Sequence, residues 1–412
     1  MKRLTTALFA VILTTNTAWA AGAGQEAMTA GVELESFAPR RTVHVSTIEE
    51  LMVAVADARA GDLIEVADGD YDNADVIRID DKAGTAQAPI VIRSVNLGKA
   101  RVVGRGGFRL VGCEYVAIVG FSFVHKDVGM ACRIDDSNHC RLTRNLISVR
   151  ETAPTEQDRR RLHWVGIGGD DSHHNRIDHN LFEEKRNSGV MIYTGGSSRE
   201  TGHMATRYDR IDHNHFRNFY PASTNGHETI RLGTSTYSHC SAYTIVEHNL
   251  FERCDGEAEI ISVKTSDNTI RNNTFRNSRG MLTLRNCHSC LVESNYFLND
   301  GSQERSEGIR FFGQGHVIIN NYLEGLGGTA IQIRTGDIER RTDPKWRYRE
   351  RDGDFRNWGA YQRRKMHSSP STPSSTVPLP SGLANQVRAL RNILCLRVTS
   401  PSPTTSSRRI VR

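Results

Sequence analysis

Apolar residues come in short bursts along the chain, and several bursts end on asparagine. Tyr243-Thr-Ile-Val-Glu-His-Asn249, Asn268-Thr-Ile-Arg-Asn-Asn273, Cys290-Leu-Val-Glu-Ser-Asn295 and His316-Val-Ile-Ile-Asn-Asn321 share this form. Each asparagine precedes an aromatic residue or leucine: Asn180-Leu-Phe182, Asn214-His-Phe216, Asn249-Leu-Phe251, Asn273-Thr-Phe275, Asn295-Tyr-Phe297 and Asn321-Tyr-Leu323. The steps from Asn249 are 24, 22 and 26 residues, and the two earlier ones are 34 and 35. Bursts this short predict strands, and strand-rich repeats of this length predict a solenoid. The expected fold class is all-β, a parallel β-helix. A turn asparagine suits left-handed backbone and can form a side-chain ladder between stacked coils. The longer repeats are expected to carry loops that wall a groove.

The chain before the repeats reads differently. Residues 1–20 have a secretory-signal pattern: Lys2-Arg3, an apolar run from Leu4 to Leu13, then Ala18-Trp19-Ala20 as a cleavage site. That run is too short to span a membrane. Export to the periplasm or the medium is expected, with no membrane partner once the signal is removed. Residues 21–42 read as a loose leader. Ser46-Thr-Ile-Glu49 resembles a capping box, and Ile48, Leu51, Met52 and Val55 keep helical spacing. A short helix there would cap the open end of the solenoid. The β-helix domain is expected over 43–365.

Composition changes the picture at the other end. The chain has 53 Lys and Arg against 47 Asp and Glu, a net charge of +6. Ten of the basic residues, and no acidic one, follow Asp354. The rest is mildly acidic, which argues against a nucleic-acid partner. From about Met366 the repeat stops and Ser, Pro and Thr dominate. Residues 366–412 read as a disordered tail, or as the product of a reading-frame shift near Lys365 that hides a further coil.

Candidate chemistry lies in Asp255-Gly-Glu-Ala-Glu-Ile-Ile-Ser-Val-Lys264 and Gly280-Met-Leu-Thr-Leu-Arg285. Residues two apart in a strand share a face, so Glu257 and Glu259 project together. Adjacent carboxylates repel, and a hard cation such as Ca2+ relieves them through oxygen ligands. Lys264 and Arg285 are 21 residues apart, close to one coil. They would then sit abreast on neighbouring strands ~4.8 Å apart. Arg310 could add positive charge. Cys287-x-x-Cys290 lacks a second pair at zinc spacing, and Asp170-Asp171-Ser-His173-His174 reads as a polar loop between coils. Eight cysteines in an exported chain permit disulfides without naming partners.

Together with Asn225-Gly-His-Glu-Thr-Ile-Arg-Leu-Gly233, these motifs resemble polysaccharide lyase family 6, which holds alginate lyases and chondroitinase B. The resemblance runs over roughly Val43 to Tyr361. It implies a right-handed parallel β-helix, Ca2+ on Asn225, Glu257 and Glu259, Lys264 as base and Arg285 as acid. Gly308-Ile-Arg310 resembles a stretch that lines the substrate groove. The chain departs in having Asn286 where the family usually has histidine. The implied reaction is β-elimination at a uronate, with alginate as the expected substrate. Chondroitin or dermatan sulfate is the alternative, as is a non-catalytic polysaccharide-binding β-helix. Lys264 could take a proton only as the neutral amine, so it would have to ionise below the usual ~10.4.

Overall fold

The computed structural model describes residues 31, 34, 37–125, 129–149, 162–196, 205–221, 225–234, 240–285, 287–334 and 394–397. The expected groove-wall loops fall largely outside these residues, as do the signal segment and Asn286.

The strands stack into a parallel β-helix. One sheet has ten strands, from Ile77–Asp80 to Ile331–Ile333, each hydrogen-bonded to its equivalent one coil away. The other 21 strands form a second sheet that bends into two ladders. All named pairings are parallel except one, between Val317–Glu324 and Leu394–Arg397 of the 366–412 segment. Inward residues such as Ile134, Ile167, Ile192, Ile230, Ile261, Leu282 and Ile309 make one continuous core. No described helix is long and apolar enough to cross a membrane.

The asparagines stack as a buried column. The Asn214 backbone N–H donates to Asn249 Oδ1 at 2.9 Å, and Asn249 repeats this towards Asn273 at 3.1 Å. The column continues through Asn295 to Asn321. Each Nδ2 also reaches backbone carbonyls, so these polar groups are satisfied inside the coil. The left-handed conformation expected of these asparagines belongs instead to the residue before each one. His179, His213, His248, Asn272, Ser294 and Asn320 have φ between 54° and 57°. Phe182, Phe216, Phe251, Phe275 and Phe297 stack beside the column, with ring centroids 4.4–4.9 Å apart. Asn249→Ala should strand donors and acceptors on both neighbouring coils. At ~1–3 kcal/mol per orphaned group, a denaturant melt should show a loss of several kcal/mol; an unchanged midpoint would contradict this role for the column.

The helix spans Ile48–Ala56 and packs on the first strands. Its cap lies one residue later than the sequence suggested. Thr47 has extended backbone and accepts the Glu50 N–H, while the Glu50 carboxylate accepts the Ser46 N–H. Part of the segment read as a loose leader is packed. Gly31 is buried, with its N–H on the His174 carbonyl at 2.7 Å, and Leu34 and Phe37 rest against Leu63, Val91, Ala117 and Val119. Beneath Gly31 runs an ion ladder: Arg141 with Asp178, Arg176 with Asp212, then Arg210 and Arg271 with Glu247.

Candidate active site

The site is built on the ten-stranded sheet, where Ile230–Leu232, Glu259–Val263, Gly280–Leu284 and Ser306–Phe311 lie side by side. Glu259 and Ile261 are two apart, so a regular strand would aim both at one face. The pairing slips instead: Glu259 stands opposite Met281, and Ile261 opposite Leu282. The extra residue, Ile260, lets Ile261 enter the core while the Glu259 carboxylate joins the polar outer row. Lys264 and Arg285 each follow the last paired residues, Val263 and Leu284, and so emerge abreast on adjacent coils.

Three carboxylates meet three cations here. Lys264 Nζ donates to Glu228 Oε1 at 3.1 Å. Arg285 Nη1 donates to Glu259 Oε1 at 3.2 Å, and Arg310 Nη2 donates to the same oxygen. Ser262 Oγ donates to Glu259 Oε2. Glu257 accepts only a backbone N–H among the bonds resolved to it, from Gly226 at 3.1 Å. Exposed Asn225 adjoins that glycine. The Arg285 guanidinium lies 5.5 Å from the centre of the Phe312 ring.

Burial, with Glu228 and Glu259 nearby, pushes the Glu257 carboxyl up to about 8. Burial alone would also raise Glu228, but Lys264 and Arg231 beside it hold it below its ordinary value. Oxygens of Glu228, Glu257 and Glu259 lie within 4.8 Å of one another. Glu228 is 1% exposed, and its Oε2 has no hydrogen-bond partner among the described residues. A set of converging carboxylate oxygens, one orphaned and one pushed towards its neutral form by burial and its acidic neighbours, fits a hard divalent cation.

The structure thus brings Lys264, Arg285, Arg310, Glu257 and Glu259 together, with Asn225 at the edge. It adds Glu228, Ser262 and Phe312, to which the sequence reading gave no role. Glu228 stood inside the Asn225–Gly233 motif, three places from Asn225, and that was its only signal. Lys264 pairs with Glu228 rather than with either glutamate of the Glu-x-Glu pair.

Other sequence features settle elsewhere. Cys287, Cys290 and His316 converge, but both His316 ring nitrogens are taken, by the Cys290 N–H and the Phe312 carbonyl. Cys113, Cys132, Cys140, Cys240, Cys254, Cys287 and Cys290 are free thiols. His173 makes parallel bridges to Asn138 and Arg207 on the neighbouring coils, and beside it His174 stacks between His139 and Tyr208.

The family model described as Chondroitinase B matches residues 45–335. The PL6 family alginate lyase AlyGC superposes with a TM-score of 0.61 at 32% identity, over 72% of this chain and 40% of that one. A mannuronic acid specific polysaccharide family 6 lyase from human gut microbiota gives 0.64 at 30% identity, over 78% and 71%. The PL6 family polysaccharide lyase Pedsa3628 from Pseudopedobacter saltans gives 0.61 at 23% identity, over 74% and 69%, which speaks for the fold alone. The chain therefore spans less than half the length of AlyGC. No match is found among the curated proteins. With a family model matched over most of its length and the AlyGC likeness beside it, the chain belongs to polysaccharide lyase family 6, the family of chondroitinase B.

Proposed function

We propose that this chain is an exported lyase that cleaves alginate by β-elimination, with Ca2+ held by Asn225, Glu257, Glu259 and Glu228. The observation that carries this reading is the placement of Lys264 and Arg285 abreast on adjacent coils, each against a carboxylate of one buried cluster. The relative described as an alginate lyase and the one described as specific for mannuronic acid support the substrate class.

The chemistry follows from the uronate. Its C5 hydrogen is acidic only if the neighbouring carboxylate can take up enolate character. When bound, Ca2+ would supply the positive charge that the carboxylate needs in that state. Lys264 is held by buried Glu228, so its amine has a fixed direction. In our reading Lys264 acts as the neutral amine: it takes the C5 proton and becomes the ammonium that Glu228 then pairs. The electron pair left behind forms the C4=C5 double bond as the C4–O bond breaks. Arg285 faces the departing oxygen and stabilises its charge; a guanidinium stays protonated at working pH, so water delivers the proton. Arg310 binds the polymer's carboxylate. The bonds that Arg285 and Arg310 make to Glu259 are the kind each would make to a uronate.

An assay across alginate, dermatan sulfate and pectate, with and without chelator, tests this proposal. Ultraviolet absorbance from the unsaturated uronate should rise with alginate and Ca2+, and chelator should stop it. A rise with dermatan sulfate alone would move the substrate to sulfated glycans. No rise on any polymer would leave a binding protein.

A further inference from the structure

Arg285 leads directly into the turn that carries the coil from the ten-stranded sheet to the strand Leu291–Glu293. In register with the paired residues Thr269 and Leu291, Cys287 and Cys290 hold the places that Thr265 and Asn268 hold one coil earlier. All four residues are buried. In the earlier coil the two positions face each other across the turn, and Asn268 Nδ2 donates to Thr265 Oγ1 at 3.0 Å. In the next coil both positions are thiols. Their sulfurs and a His316 ring nitrogen lie within 4.8 Å of one another. The fold thus sets two thiols face to face inside one short turn.

This pair suits oxidation better than a metal. A closed thiolate site takes four ligands, and His316 has both ring nitrogens engaged, one of them by the Cys290 N–H itself. Burial raises both thiols. At Cys290 a hydrogen bond from Cys287 works the other way and favours the thiolate, while Cys287 stays well above its ordinary value. A thiolate beside a second sulfur is placed to displace a mixed disulfide. Joining the two forfeits only the weak S–H bonds from Cys290 to the His288 and Thr265 carbonyls. The cysteines are three residues apart, so they can join before the coil has wound and buried them.

We propose that Cys287 and Cys290 form a disulfide in the exported protein, a staple across the turn behind Arg285. The oxidant is an external disulfide. One cysteine thiolate attacks it, forms a mixed disulfide and releases one thiol. The other cysteine thiolate then attacks the protein sulfur and releases the second thiol. The two cysteines give up their protons and, together, two electrons, and the external disulfide is reduced to two thiols. Arg285 lies outside the closed ring, and its N–H stays on the Val263 carbonyl. The proposal rests on the export proposed above, which supplies oxidising surroundings.

Full-length protein refolded from denaturant in a mixture of oxidised and reduced glutathione, then alkylated and digested, gives the test by peptide mass. The peptide holding residues 287–290 should carry no alkyl group and be lighter by two hydrogen atoms. Reduction before alkylation should add a group to each cysteine. In denaturant melts, a thiol reductant should lower the folded-to-unfolded ratio by roughly tenfold or more in the wild type, and leave Cys287→Ala unmoved. Thr265 and Gly313 occupy this place in the neighbouring coils, so a small residue fits there. Alkylation of both cysteines throughout, or a bond from either one to another cysteine, overturns the proposal. So does an equal response of the wild type and Cys287→Ala to reductant. Should Cys287→Ala fail to fold, the wild-type peptide masses decide by themselves. None of these readings needs substrate: a silent absorbance assay speaks against the lyase function, and a missing bond against the staple.

Discussion

Lys264→Ala should lower the formation of unsaturated uronate by roughly a hundred- to ten-thousand-fold, the range for removing a positioned general base. The same change removes the ammonium hydrogen-bonded to Glu228, a carboxylate 2% exposed at its side chain. Breaking such a pair costs ~3–5 kcal/mol because a buried charge is left behind. Loss of activity could then be mistaken for loss of fold. Adding Glu228→Gln separates the two. The double variant should regain most of the lost stability, since no unpaired carboxylate remains, and should stay inactive. Denaturant melts and the absorbance assay on all four members of the cycle give both readings. Recovery of activity in the double variant would show that Lys264 acts only as a structural partner of Glu228.

Chelation should expose a pH dependence that Ca2+ hides. The Glu257 carboxyl is raised from the ordinary 4.5 to about 8 in the cation-free chain. A carboxyl whose folded value is raised stabilises the fold fully below the unfolded value, and loses that contribution as pH climbs through the folded value. In chelator, the melting temperature should therefore fall between about pH 4.5 and 8. Adding Ca2+ should cancel the fall, because the cation prefers the ionised carboxylate and displaces its proton. The gain from Ca2+ should grow with pH over that window. Glu257→Gln should remove the part of the slope in chelator that Ca2+ cancels, and most of the gain from Ca2+. A slope in chelator that is the same with and without Glu257→Gln would mean that Glu257 is already ionised.

The coil was legible because its chemistry repeats. Asn180, Asn214, Asn249, Asn273, Asn295 and Asn321 recur at the interval of one turn, and every one stands in the column. The left-handed residue beside each was not legible, because His, Asn and Ser share that position without a common pattern. Lys264 and Arg285 could be placed together from coil length alone. Glu259 was aimed correctly by the alternation argument, yet that argument assumed a regular strand, and the slip at Ile260 is what turns its carboxylate away from the core. Glu228 escaped notice because a lone carboxylate in an extended segment looks like any solvated charge. Only three-dimensional closeness to Glu257 and Glu259 gives it a role. The leader looked loose because few apolar residues mark it, and its anchor is a glycine.

That anchor also constrains the order of events as the chain folds. Gly31 stands early in the sequence, but its backbone partner at His174 and the arginines beneath it belong to coils more than a hundred residues further on. The first segment must wait unsecured until those turns have wound. Only then can it close across them, so its docking reports that the middle of the solenoid is complete.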